Sequence, residues 1–199
     1  MTPKNALIIQ TLLEALLPVA GYLFWNWDTS FILQFYLLDW LLFYGLTLAK
    51  ARKRVHYHPD ANERRLAFRN ALLGALLMIA TTALVLNLLP RLQQPFSWSE
   101  RIWAFLSYED LGIAQGLFLI PLILLNGIML YKSQFIRLNL FAKLDMQQIT
   151  NGLTKQGLLL LGAAGVFFGF SFFTSYPPEA VLFATIGGTM IYRFLARAN

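Results

Sequence analysis

The chain has 199 residues, of which 57% are hydrophobic and only 13% charged, and its mean hydropathy is +0.55. Soluble domains carry about 25% charged residues, so this composition leaves too little polar surface to cover a soluble globule. The net charge is +6 and cysteine is absent, which excludes disulfides, thiolate metal sites and a cysteine nucleophile. The basic residues therefore call first for a topological reading, and nucleic acid is not an implied partner.

A bilayer span needs about 20 apolar residues. In chain order, apolar stretches lie near 6–25, 31–49, 67–89, 112–131, 157–175 and 179–195. They predict an all-α fold: a polytopic transmembrane helix bundle of six spans in three hairpins, forming a single integral membrane domain. The first stretch follows Lys4 and runs into Pro18-Val19-Ala20-Gly21, which imitates a secretory signal. Gln10 and Glu14 inside the apolar run argue against that reading.

Two connections are long enough to hold structure. Residues 96–108 include Trp98, Trp103 and Tyr108. Trp and Tyr favour the headgroup level, so this segment reads as a short helix at the outer interface. In 134–150, Phe135, Leu138, Ala142, Met146 and Ile149 follow a spacing of three to four residues. The segment reads either as an amphipathic helix on the inner leaflet or as the cytoplasmic extension of a span.

Charge then orients the spans. Seven basic residues fall between Lys50 and Arg69, and four more are Lys132, Arg137, Lys143 and Lys155. With Lys4, Arg193 and Arg197, an arrangement with both termini inside places fourteen of the sixteen Lys and Arg in the cytoplasm. The other two, Arg91 and Arg101, share an outer loop with Glu100, Glu109 and Asp110. This is the distribution that the positive-inside rule demands.

Ionisable groups inside a bilayer are costly, by about 2.5–3.5 kcal/mol on insertion scales, so each needs a reason. Glu14 and Asp39 fall within the first two spans. At 1.5 Å per residue, both lie roughly 15 Å from the turn between those spans, close to the midplane on adjacent helices. Two neighbouring carboxylates in low dielectric cannot both ionise, which is the basis of proton-coupled transport or cation capture. Gln10, Tyr36, Thr81, Thr82 and Asn126 are polar groups that could complete such a site. The competing reading is that hydrogen-bonded carboxyls simply tie two helices together.

Lipid is as apolar as Leu, so helix pairing in a membrane depends on close backbone approach at small residues. Gly165 and Gly169 form a GxxxG unit, and Ala180, Ala184 and Gly188 continue small residues at every fourth position. They predict either packing of the last two spans against each other or a face for another membrane subunit. His56, His58 and Asp60 could approach a divalent cation, but a solvated basic turn is the simpler reading. Nucleophile, phosphate-loop and zinc-protease signatures are absent from the sequence, and no cofactor is implied.

Leu23-Phe24-Trp25-Asn26-Trp27-Asp28, followed by Tyr36-Leu37-Leu38-Asp39-Trp40, resembles an uncharacterised bacterial integral membrane family of the DUF6498 type. In that family a Trp-containing outer turn precedes a span with a Tyr-Trp-x-Glu motif. Tyr36 and Asp39 take the matching positions, with Leu37 in place of Trp and Asp in place of Glu, and the resemblance covers about 30 residues. It implies the bacterial cytoplasmic (inner) membrane and draws attention to Asp39, with no known activity.

The expected function is non-enzymatic: an accessory subunit or immunity-type protein that recognises a membrane protein partner within the lipid bilayer. One alternative is a small solute-binding or proton-coupled transport component using the midplane carboxylates, with a small-molecule ligand. The other is an intramembrane lipid-modifying enzyme.

Overall fold

The structure is a computed structural model that describes residues 18–24, 27–92, 95, 97–107, 109–110, 113–173, 177 and 179–188. Residues 18–24 are helical (α1). They are followed by α2 (Thr29–Tyr57), α3 (Ala61–Leu92) and α4 (Trp98–Ser107). Two-residue strands β1 (Glu109–Asp110) and β2 (Ile113–Ala114) pair antiparallel. Then come α5 (Gln115–Leu130), a π-helical continuation over Tyr131–Ile136, α6 (Leu140–Lys143), α7 (Met146–Phe170) and α8 (Glu179–Gly188).

Three helices, α2, α3 and α7, are long and apolar enough to cross a membrane. At most 33% of the residues in each apolar stretch are buried in the protein. Phe68, Ile79, Leu125, Val166 and Phe173 all stand exposed. An apolar surface this extensive is compatible with a lipid covering.

Local chemistry sets the helix ends. Asp28 caps α2 by accepting from the Phe31 amide at 2.7 Å and from the Ser30 hydroxyl at 2.6 Å, satisfying donors that the first turn cannot pair internally. The helix stops at extended His58 because the residue before a proline, here Pro59, is pushed out of the helical region. Asp60 then accepts from the Asn62 amide at 3.2 Å as α3 begins. Asp145 and Gln148 form a reciprocal capping box at the start of α7.

These caps explain why the helices outrun the apolar stretches. The second, third and fifth spans were expected at 31–49, 67–89 and 157–175, whereas the helices cover Thr29–Tyr57, Ala61–Leu92 and Met146–Phe170. Hydropathy reports where lipid lies, not where backbone hydrogen bonding ends. The basic segment after Lys50 is thus mostly helical, folded into a tight turn at His58-Pro59-Asp60.

The aromatic connection is helical over Trp98–Ser107, as its pattern suggested. Phe105 is buried, whereas Trp103 is exposed. The segment 134–150 is not one amphipathic helix. The Arg137 amide reaches Lys132 O at 3.0 Å, closing a widened turn, and Asn139 then adopts a left-handed conformation with φ 52°. Its residues divide among the tail of α5, the single turn of α6 and the head of α7. Extension of helices past the apolar zone is the better description.

Side-chain contacts fix the helix directions. Asn70 meets Thr150, and a Cβ added to Gly74 would lie 3.5 Å from Leu153. Leu77 meets Gly157, and Arg91 reaches Phe168 and Phe172. Residue numbers rise together on both helices, so α3 and α7 run parallel. Arg54 with Glu63 and Tyr44 with Ala71 show that α2 runs opposite to α3. Leu46 with Gly127 and Lys50 with Phe135 align α5 with α2.

Two buried clusters gather around the first half of α2. One joins Trp27, Phe31, Ile32, Phe105, Leu182 and Ile186. The other joins Leu33, Val85, Leu88, Leu89, Ala164 and Val181.

Candidate functional site

Four helices enclose a cavity of about 50 Å³ beside the second cluster. α2 contributes Leu33, Tyr36, Leu37 and Trp40, and α3 contributes Thr81, Val85 and Leu88. α7 adds Leu160, Ala163, Ala164 and Phe167, and α8 adds Val181 and Thr185. Each set recurs at intervals of three to four residues, so each helix offers a single face. Ala163 and Ala164 leave the space that larger side chains would fill.

The wall is apolar with three polar exceptions. Thr81 is 4% exposed, and its hydroxyl has no hydrogen-bond partner among the described residues. Thr185 donates to Val181 O at 2.7 Å, and Tyr36 completes the polar set. An unpaired buried hydroxyl costs about 1–3 kcal/mol, a cost that water or a ligand group would remove. A water molecule takes up about 30 Å³ in the liquid, so the cavity holds one or two waters; organic ligands need roughly 300–1,000 Å³.

The expected midplane site is only partly assembled here. Tyr36 and Thr81 both line the cavity, from α2 and α3. Asp39, one turn beyond Tyr36 on α2, is half-buried and lies outside the lining. Asn126 is exposed on α5, whose neighbouring Gly127 faces Leu46 of α2, so the Asn side chain is turned outward. Thr82 is half-buried and not part of the wall. Gln10 and Glu14 lie outside the described residues. Trp40 and Thr185 also line the cavity, and the signal for Thr185 was its place one turn after Val181.

The small-residue face is also rearranged. Within α7, the glycine packed tightly against other helices is Gly157, where an added Cβ would stand 2.9 Å from Leu77 Cδ1 and 3.4 Å from Trp40 Cζ2. Among the described residues, an added Cβ at Gly169 would meet nothing within 4 Å, and one at Gly165 only Leu84 Cδ1 at 4.0 Å. The residues described in the last helix are therefore not in contact with the GxxxG positions. α8 instead buries Val181, Leu182 and Ile186, with Ala180 and Ala184 half-buried and Gly188 in ordinary contact with Leu159.

At the opposite end of α2, Arg54 is buried and chelates Glu63, with Nη2 2.6 Å from Oε1 and Nε 2.9 Å from Oε2. Its Nη1 donates to Phe141 O at 3.0 Å and Ala142 O at 3.2 Å. One guanidinium thus joins α2, α3 and α6. Arg54 and Glu63 are equidistant in sequence from the His58–Pro59 bond, a symmetry that a hairpin turn placed there would have revealed. His56 in the last turn of α2 and His58 and Asp60 in the turn that follows are exposed, as a solvated basic connection requires.

No family model matches the chain, and neither the curated proteins nor the solved structures give a match.

Proposed function

We propose that the protein is a six-span component of the bacterial inner membrane, with both termini inside, that acts non-enzymatically by associating with another membrane protein. An accessory subunit or an immunity-type protein fits this description. The observation that carries the reading is the uncovered flank of α7. Cβ atoms added at Gly162 and Gly169 would meet nothing within 4 Å among the described residues, whereas the glycine used internally, Gly157, has no such room. Small residues on an open helix face permit close approach of a second helix. The resemblance of the Trp turn and of Tyr36 and Asp39 to the DUF6498-type family supports the bacterial membrane setting.

Native mass spectrometry of the chain purified from its host in mild detergent tests this proposal. A stoichiometric membrane protein partner is expected, and Gly169→Leu is expected to release it while the thermal stability of the lone chain is unchanged. Gly157→Leu, by contrast, should destabilise the chain itself, since overpacking costs about 1–3 kcal/mol or more. Recovery of the lone wild-type chain, or a complex indifferent to Gly169→Leu, would count against association through this flank.

A second reading rests on the unpaired Thr81 hydroxyl. A cavity that admits water but no organic solute suits a proton path, with Asp39 one turn away. Asp39→Asn is then expected to abolish proton flux in reconstituted vesicles without lowering the melting temperature. Equal flux in both proteins removes the proposal.

A further inference from the structure

An open cleft of about 590 Å³ lies at the basic end of the bundle, remote from the Gly162–Gly169 flank. Its wall includes Arg52, Lys53 and His56 from α2, Pro59 from the turn, Arg64 from α3 and Tyr131 from the end of α5. The two carboxylates of this turn are engaged elsewhere: Glu63 is held by Arg54, and Asp60 accepts from the Asn62 amide. Neither Arg52 nor Arg64 forms an ion pair among the described residues. Lys53 rests its ammonium 5.3 Å from the Phe141 ring centroid, which fixes it without neutralising it.

Two unpaired guanidinium groups and an ammonium around a concave space form an anion site. Guanidinium forks match phosphate oxygens in pairs. The cleft's position adds a second requirement. Tyr131 directly continues α5, whose Leu124, Leu125, Ile128 and Met129 are exposed. A ligand with phosphate in the cleft and acyl chains along α5 would meet suitable chemistry at both ends. Free phosphate would use only the first.

We propose that this cleft binds the phosphate headgroup of an anionic phospholipid. Basic pockets among membrane helices at the cytoplasmic side are suited to such headgroups. The inference is independent of any protein partner at α7.

The test uses the full chain in a nonionic detergent, with phosphatidylglycerol, cardiolipin, phosphatidylcholine and inorganic phosphate as probes. Native mass spectrometry and thermal shift read the binding. Phosphatidylglycerol and cardiolipin are expected to bind and to raise the melting temperature, and phosphatidylcholine is not. Arg52→Gln with Arg64→Gln is expected to weaken that binding about thirty-fold, the loss of two cation contacts with an anionic lipid. Arg137→Gln with Lys143→Gln removes the same charge from exposed positions outside the cleft and is expected to leave the affinity unchanged. Each single Arg variant is measured as well, so that poor folding of one protein does not decide the result. Equal loss in the control pair would show diffuse electrostatics and overturn the site. Binding of phosphatidylcholine as tight as that of phosphatidylglycerol would do so too, as would saturation by inorganic phosphate with no lipid bound.

Discussion

At the scale of single residues, Arg54 shows how a charge is retained at a buried position. Its side chain is 11% exposed and that of Glu63 is 19% exposed. Desolvating both ions is costly, and the pair is tolerable because the remaining nitrogen, Nη1, donates to two backbone carbonyls, Phe141 O and Ala142 O. Removing one partner strands the other. Arg54→Ala is expected to destabilise the chain by about 3–5 kcal/mol, read as a lower melting temperature in detergent. Arg54→Lys should recover only part of this, since an ammonium cannot serve a carboxylate and two carbonyls in one plane. An unchanged melting temperature for Arg54→Ala would mean that the three-helix junction is held by apolar contacts alone. Gly157 illustrates the opposite economy of space: no side chain at that position leaves room for Leu77 and Trp40.

At the scale of elements, hydropathy made the apolar centres of α2, α3 and α7 legible, and aromatic content pointed to α4. Their ends were harder to read because they are decided by caps rather than by lipid. The start of α7 lies in Met146-Gln147-Gln148, where two glutamines keep a hydropathy window from selecting it, and its signal was the Asp145–Gln148 box. That Tyr36 and Thr81 line one cavity was partly legible from depth in the span. The exposure of Asn126 was not, because a helix's rotation about its axis depends on its neighbours, here Leu46 against Gly127. Likewise GxxxG spacing named Gly165 and Gly169, but only tertiary packing decides which glycines are covered. α4 supplies a test at this scale. Asp28 both caps α2 and pairs with Arg101, while Gln34 Nε2 reaches Arg101 O at 3.5 Å and Trp98 Nε1 donates to Leu86 O at 3.2 Å. Asp28→Ala removes the cap and the pair together, with an expected cost from the cap of about 0.5–2 kcal/mol. Hydrogen exchange should quicken at 29–33 and throughout α4, with α7 unaffected. Equal protection across α4 in the variant would show that the Phe31–Phe105 ring contact at 4.8 Å suffices to hold it.

For the whole molecule, helix direction and charge distribution agree. The contacts of α2, α3, α5 and α7 make successive long helices alternate in direction, as successive spans must. Arg54, Arg64 and Lys143 then lie toward one end, and Arg91 and Arg101 toward the other. The latter two are also engaged by neighbouring side chains. Arg101 pairs with Asp28, and the Arg91 guanidinium carbon lies 4.2 Å from the Phe172 ring centroid and 5.2 Å from that of Phe168. In the proposed arrangement these two lie on the translocated side, where a basic residue opposes the usual orientation signal, and pairing with a carboxylate or an aromatic face reduces its solvation demand. Because the chain contains no cysteine, single replacements report sidedness without altering a native thiol. His58, Arg137 and Ser99 are all exposed, the first two at the basic end and the third on α4. Ser99→Cys is expected to react with a membrane-impermeant maleimide in intact cells. His58→Cys and Arg137→Cys should react only after permeabilisation. Labelling of His58→Cys and Ser99→Cys from the same side would mean that α3 does not cross the bilayer, and the proposed six-span arrangement would fall with it.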